Sequence, residues 1–196
     1  METIPFFIYT FLLAIGCMFL EWGLVPKRCR KIYHGSPACS YYLSCMYQPI
    51  MIYLWLTDAP IYQKAAVAIA YPIRDIPYIL GQWGVYFHHF YMFLFSVAAI
   101  LTPGWPQTLY FVTGAFLECG SWTQNIAFLM IDTRHFRLAA NMNQAVMAVS
   151  HMVGLYWCFT MYRSEVPVFF KVNGLLLIPT MVVRQYNSYT IKKNNV

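Results

Sequence analysis

The chain has 196 residues, of which 60% are hydrophobic, with only 13 Lys+Arg and 7 Asp+Glu. Soluble globular proteins carry roughly a quarter of their residues as charges, so this chain has too few to coat a water-facing surface. A cytosolic enzyme, a disordered chain and a secreted disulfide scaffold are excluded on that ground. The net charge of +6 falls in short clusters between apolar runs, with no basic stripe interleaved with aromatics, so it speaks for membrane topology and against nucleic acid.

Charge-free stretches run 3–20, 32–57, 76–117, 119–131 and 138–162. A helix crossing a bilayer needs roughly 20 mainly apolar residues. The runs predict seven spans, near 5–24, 40–57, 64–82, 86–102, 107–131, 139–162 and 167–186. Thr102-Pro103-Gly104-Trp105-Pro106 divides the longest run, because proline and glycine together stop a helix and start a turn. The first run has no basic region before it and is long enough to span, so it reads as a helix and not a signal peptide. The runs are continuous and do not alternate, which favours helices over a transmembrane barrel.

Lys and Arg set the orientation. Lys27, Arg28, Arg30, Lys31, Arg134, Arg137, Arg184, Lys192 and Lys193 fall on one side of a seven-span chain, and Lys64, Arg163 and Lys171 on the other. The positive-inside rule then predicts a non-cytosolic N-terminus and a cytosolic C-terminus. The division expected is an N-terminal helix with a basic loop over 1–29 and a membrane domain over 30–196. The six cysteines show no metal or redox spacing and read as small buried hydrophobes or acylation sites.

Ionisable groups inside a membrane are costly and need a reason. In span three Tyr71, Asp75, Tyr78 and Gln82 recur on one helical face, with Arg74 adjacent and Pro72 and Pro77 in the same segment. Span four opens with His88-His89, whose side chains point about 100° apart on a helix. They read either as a reacting group and its positioning neighbour, or as core histidines bonded to carbonyls. Glu118, Ser121 and Asn125 share one face of span five. Glu118 is expected to be protonated or to pair with Arg74 or a histidinium. Span six holds Ser150-His151, and Asn141 and Asn143 near its start read as caps. Lys171 lies near a span boundary, where its amine reaches the interface. No spacing of histidines and carboxylates within one helix suggests a metal.

Asp75, then His88-His89, then Glu118-Cys-Gly-Ser-Trp-Thr-Gln-Asn125, resembles the TLC-domain family of membrane proteins, which includes the ceramide synthases. The resemblance covers roughly residues 30–186. The Glu-to-Asn spacing matches the family segment, whereas its Ser-Thr-Pro-Phe centre is absent and Ala127 stands where an arginine often follows. The resemblance implies an all-α bundle of six helices around a central cavity, preceded by one extra helix. Ceramide synthases carry a longer histidine and aspartate motif than this chain, so full ceramide synthase activity is not expected.

Three functions follow as expectations. The first is lipid homeostasis in an internal membrane such as the endoplasmic reticulum. Arg74, Tyr78, Glu118, Ser121, Asn125 and His151 would line a cavity for membrane lipid. The second is an acyltransferase taking acyl-CoA as co-substrate and needing no other cofactor. There His88 or His89 acts as base or nucleophile, Asp75 orients it, and Asn125 or Tyr78 meets the oxyanion. The third is a receptor for membrane cargo proteins.

Overall fold

The computed structural model describes residues 3–24, 32–33, 36–76 and 83–195, and the side chains of 8–19, 40–76 and 86–190. The apolar runs fold as helices: α1 (Thr3–Leu24), α2 (Ala38–Leu56), α3 (Ile61–Asp75), α4 (Trp83–Leu101), α5 (Trp105–Leu129), α6 (Phe136–Arg163) and α7 (Val168–Asn195). Ile32–Tyr33 (β1) and Ser36–Pro37 (β2) pair antiparallel between α1 and α2. Each helix falls on one of the expected runs. Helix α6 and the Val168–Thr190 part of α7 are long and apolar enough to cross a membrane; Ile8–Phe19 and Tyr86–Leu101 are shorter apolar segments.

Local chemistry sets the ends. Helix α3 stops at Asp75, short of the expected limit at residue 82. Ile76 still donates to the Ile73 carbonyl at 3.4 Å, but Pro77 has no N–H with which to continue the ladder. Arg74 and Asp75 are therefore the last residues of a helix, not its middle. At the start of α5, Gly104 has φ of 100°, a conformation that glycine adopts without a Cβ penalty. Pro106 follows in the first turn, where no backbone donor is required. Helix α6 is capped at His135, so Asn141 and Asn143 are not caps; Asn143 is buried in the core.

The α2–α5 and α6–α7 pairs run antiparallel. Trp122 Nε1 donates to the Cys45 carbonyl at 3.1 Å, while at the other end of the same pair the rings of Trp55 and Phe111 lie 5.8 Å apart. Asn143 meets Ser188 at one end of the α6–α7 pair, and Gly174 meets Cys158 at the other. Packing neighbours close a ring in the order α2, α3, α4, α7, α6, α5, with α1 lying against α3 and α2. Helix α3 tolerates close neighbours because Ala65, Ala66, Ala68 and Ala70 keep its buried surface thin. Helices α5 and α6 approach closely at Gly120, where a Cβ would lie 2.7 Å from Ser150 Oγ and 2.8 Å from Met147 Sδ. The main core gathers Met51, Trp55, Tyr71, Met92 and Phe111 from α2 to α5.

Candidate functional site

Ser40, Ser44, Gln48, Met51 and Trp55 are spaced by four, four, three and four residues, and all are buried on one face of α2. This face supplies neutral polar groups to the charged residues around it. Ser44 Oγ donates to the Ser40 carbonyl at 2.8 Å, and lies 3.2 Å from the Tyr71 hydroxyl and 2.9 Å from the guanidinium of Arg74, both of which donate to it. Arg74 Nε donates to Asp75 Oδ1 at 2.8 Å, a pair formed by sequence neighbours at the end of α3. The second carboxylate oxygen of Asp75 lies 3.4 Å from His89 Nε2. The His89 ring is buried and stacks on Tyr71, with centroids 5.6 Å apart and planes 15° from parallel.

The neighbouring histidine takes another direction. His88 and His89 stand edge to face, their planes at 88°. His88 Nε2 lies 3.3 Å from Glu118 Oε1 on α5. The other oxygen of Glu118 accepts from Gln48 Nε2 at 2.8 Å, and Gln48 Oε1 in turn accepts from Asn125 Nδ2 at 2.9 Å. Glu118 is 2% exposed and both its oxygens are engaged, which is what a carboxylate needs in an apolar interior. Its partner is a histidine and not Arg74, which is committed to Asp75. The face Glu118–Ser121–Asn125 divides its contacts, because Ser121 accepts a close hydrogen bond from Arg184 of α7.

His88, Glu118 and Arg184 border a pocket between α2, α4, α5, α6 and α7 that is open on one side. Its walls are apolar: Trp55, Phe95, Tyr110, Leu117, Met161 and Met181 are among them. Thr113 also lines it; this side chain is buried, and its hydroxyl has no hydrogen-bond partner among the described residues. The arrangement is a greasy slot with charge at one part of its wall, the form expected of a site for an amphipathic molecule.

No family model matches the chain, and comparisons with curated proteins and with solved structures also return no match. The chemistry must be read from the residues themselves.

Asn125, Glu118 and His88 are joined through Gln48, and Asp75, Arg74 and His89 form a second set with Ser44 and Tyr71; the two sets meet where the His88 and His89 rings stand edge to face. Of these residues, His88 and Glu118 line the pocket. Ser121 instead accepts from Arg184, which lines the same pocket. His151 is buried on α6 and does not line the pocket, and Tyr78 lies outside the described residues. Among the described residues, no three of His, Cys, Asp and Glu gather as metal ligands. Sequence reasoning missed Ser44, Gln48 and Arg184. A signal for the first two was present in the four-residue spacing of polar residues along α2. For Arg184 it was the run Leu177, Thr180, Met181, Arg184, one helical face that ends in a charge. Arg184 turns toward α5, where it meets Ser121.

Proposed function

We propose that the chain is a multipass membrane protein that binds a lipid within the membrane and serves lipid homeostasis. The observation that carries this reading is the apolar pocket with His88, Glu118 and Arg184 on its wall. Support also comes from the outside of the bundle. Leu12, Met46, Met152, Tyr156, Val168 and Val182 are exposed along α1, α2, α6 and α7, whereas Asp58, Arg134, Arg137, Arg163 and Glu165 lie at or beyond helix ends. An exterior of this kind suits hydrocarbon in the middle and water at the ends. On this reading all seven helices cross the bilayer, and the resemblance to the TLC domain fits an internal membrane such as the endoplasmic reticulum.

The contact between His88 and Glu118 favours a second reading, an acyl transfer from acyl-CoA to a lipid acceptor. With Nε2 directed at Glu118, the imidazole keeps Nδ1 to take a proton from an attacking hydroxyl or amine. Asp75 and His89, buried behind it, would then act as positioning residues. One preparation tests both readings. The full chain is purified in mild detergent, its co-purified lipids are identified by mass spectrometry, and acyl-CoA consumption is followed with long-chain amine and lysolipid acceptors. Retained lipid without turnover supports the binding protein. Turnover abolished by His88→Ala supports the transferase, and neither result would overturn both.

A further inference from the structure

The polar groups around the pocket are not evenly satisfied, and their imbalance specifies a ligand. Arg74 is matched by Asp75, and Glu118 by His88 and Gln48. Arg184 is different. Its hydrogen bond goes to the neutral hydroxyl of Ser121, and among the described residues no carboxylate lies within ion-pair distance of it. A guanidinium offers five donors in a planar fork suited to carboxylate and phosphate. It is held here on a pocket wall among Leu177, Met181 and Leu117, where the charge of Glu118 acts on it across the pocket without an ion-pair contact, and a cation without a bonded counter-charge is costly there. Thr113, one further donor on the same wall, is buried and also unpartnered.

Resting on the lipid-binding reading above, we infer that the pocket takes an amphiphile with an apolar chain and an anionic head, and that Arg184 is the residue that holds the head. The chain lies against Trp55, Phe95, Tyr110 and Met161, and the head sits at Arg184 beside His88. Carboxylate and phosphate share this chemistry, so a free fatty acid and a lysophosphatidic acid both fit it. A zwitterionic head adds a trimethylammonium that Arg184 repels, and the one carboxylate on this wall, Glu118, is already held by His88 and Gln48. An alcohol of the same chain length leaves the guanidinium unpaired.

The test uses the full chain in nanodiscs of uncharged lipid, with four tritiated probes of one chain length: palmitic acid, palmitoyl lysophosphatidic acid, palmitoyl lysophosphatidylcholine and hexadecanol. Saturable binding at least tenfold tighter for one or both anionic probes than for hexadecanol is expected; which of the two binds tells the carboxylate from the phosphate. Arg184→Gln should remove that preference, and Arg184→Lys should restore part of it. Equal binding of all four probes by the unaltered protein would overturn the role of Arg184 and leave the lipid pocket standing. Binding of none, with no bound lipid in the purified protein, would overturn the pocket reading as well. The comparison among probes needs no substitution, so a variant that fails to fold does not protect the inference.

Discussion

His88 Nε2 stands 3.3 Å from Glu118 Oε1, while its chain neighbour His89 points Nε2 at Asp75 Oδ2, 3.4 Å away. Two adjacent residues of α4 are thereby tied to two different helices, α5 and α3. The 100° step of a helix predicts such a divergence, and the contacts give each ring its carboxylate. His88 borders the pocket and His89 lies behind it.

That difference predicts different outcomes for the two histidines. His89→Ala leaves the buried Asp75 Oδ2 without its partner and removes a ring from Tyr71, so it should lower the thermal midpoint of the purified protein, with a loss of roughly 2–4 kcal/mol. His88→Ala should change lipid occupancy or acyl turnover more than stability. Fluorescence-detected melting alongside lipid mass spectrometry separates the two, and equal losses of stability would contradict the assignment.

Glu118 should be among the least replaceable side chains. Glu118→Ala removes the partner of both His88 and Gln48 at a site 2% exposed. Leaving a buried donor without its acceptor costs roughly 1–3 kcal/mol for each group, and two donors are left here. Glu118→Gln keeps an acceptor for one of the two donors and should cost less. Melting of the two variants in the same detergent checks the order.

A second polar lock joins α5, α6 and α7. Asn143 Nδ2 donates to Ser188 Oγ at 2.7 Å, and Thr123 Oγ1 donates to Asn143 Oδ1 at 3.2 Å. Asn143→Ala should cost roughly 1–3 kcal/mol. Because the same bond is lost, adding Ser188→Ala should cost much less than it does alone. A double-mutant cycle on thermal stability reads the coupling directly, and additive losses would deny it.

Antiparallel neighbours also fix which loops share a side. The turn at Asp58 and the turn at Glu165 should face one compartment, and the turn at Thr133 the other. Single cysteines placed at these positions, in a chain with the six native cysteines replaced, should react accordingly with a membrane-impermeant maleimide. Labelling of Asp58→Cys and Thr133→Cys from the same side of sealed vesicles would refute the arrangement.

The helices were legible because each apolar run is bounded by charge, proline or glycine, and those signals are local. Helix α3 ends at Asp75, and Tyr78 and Gln82 of its expected face lie outside the described residues. The charged half of the site was also legible, since Asp75, His88 and Glu118 are conspicuous in an apolar chain. Its neutral half was not. Ser44 and Gln48 are ordinary residues whose value depends on which helix lies opposite. Arg184 carried two meanings at once: basic residues near the end of a span are usual markers of the membrane surface, and only the turn of α7 points this one inward.

Gln48 gives the interior a direction. Its amide receives a hydrogen bond from Asn125 at one end and donates one to Glu118 at the other, so donors run in a single sense from Asn125 to the carboxylate. A residue with only acceptors at position 48 would set oxygen against oxygen at Glu118, and one with only donors would set hydrogen against hydrogen at Asn125. Positions 48, 118 and 125 are therefore spelled as one three-letter word across two helices, in which no letter can change its polarity unless another changes with it.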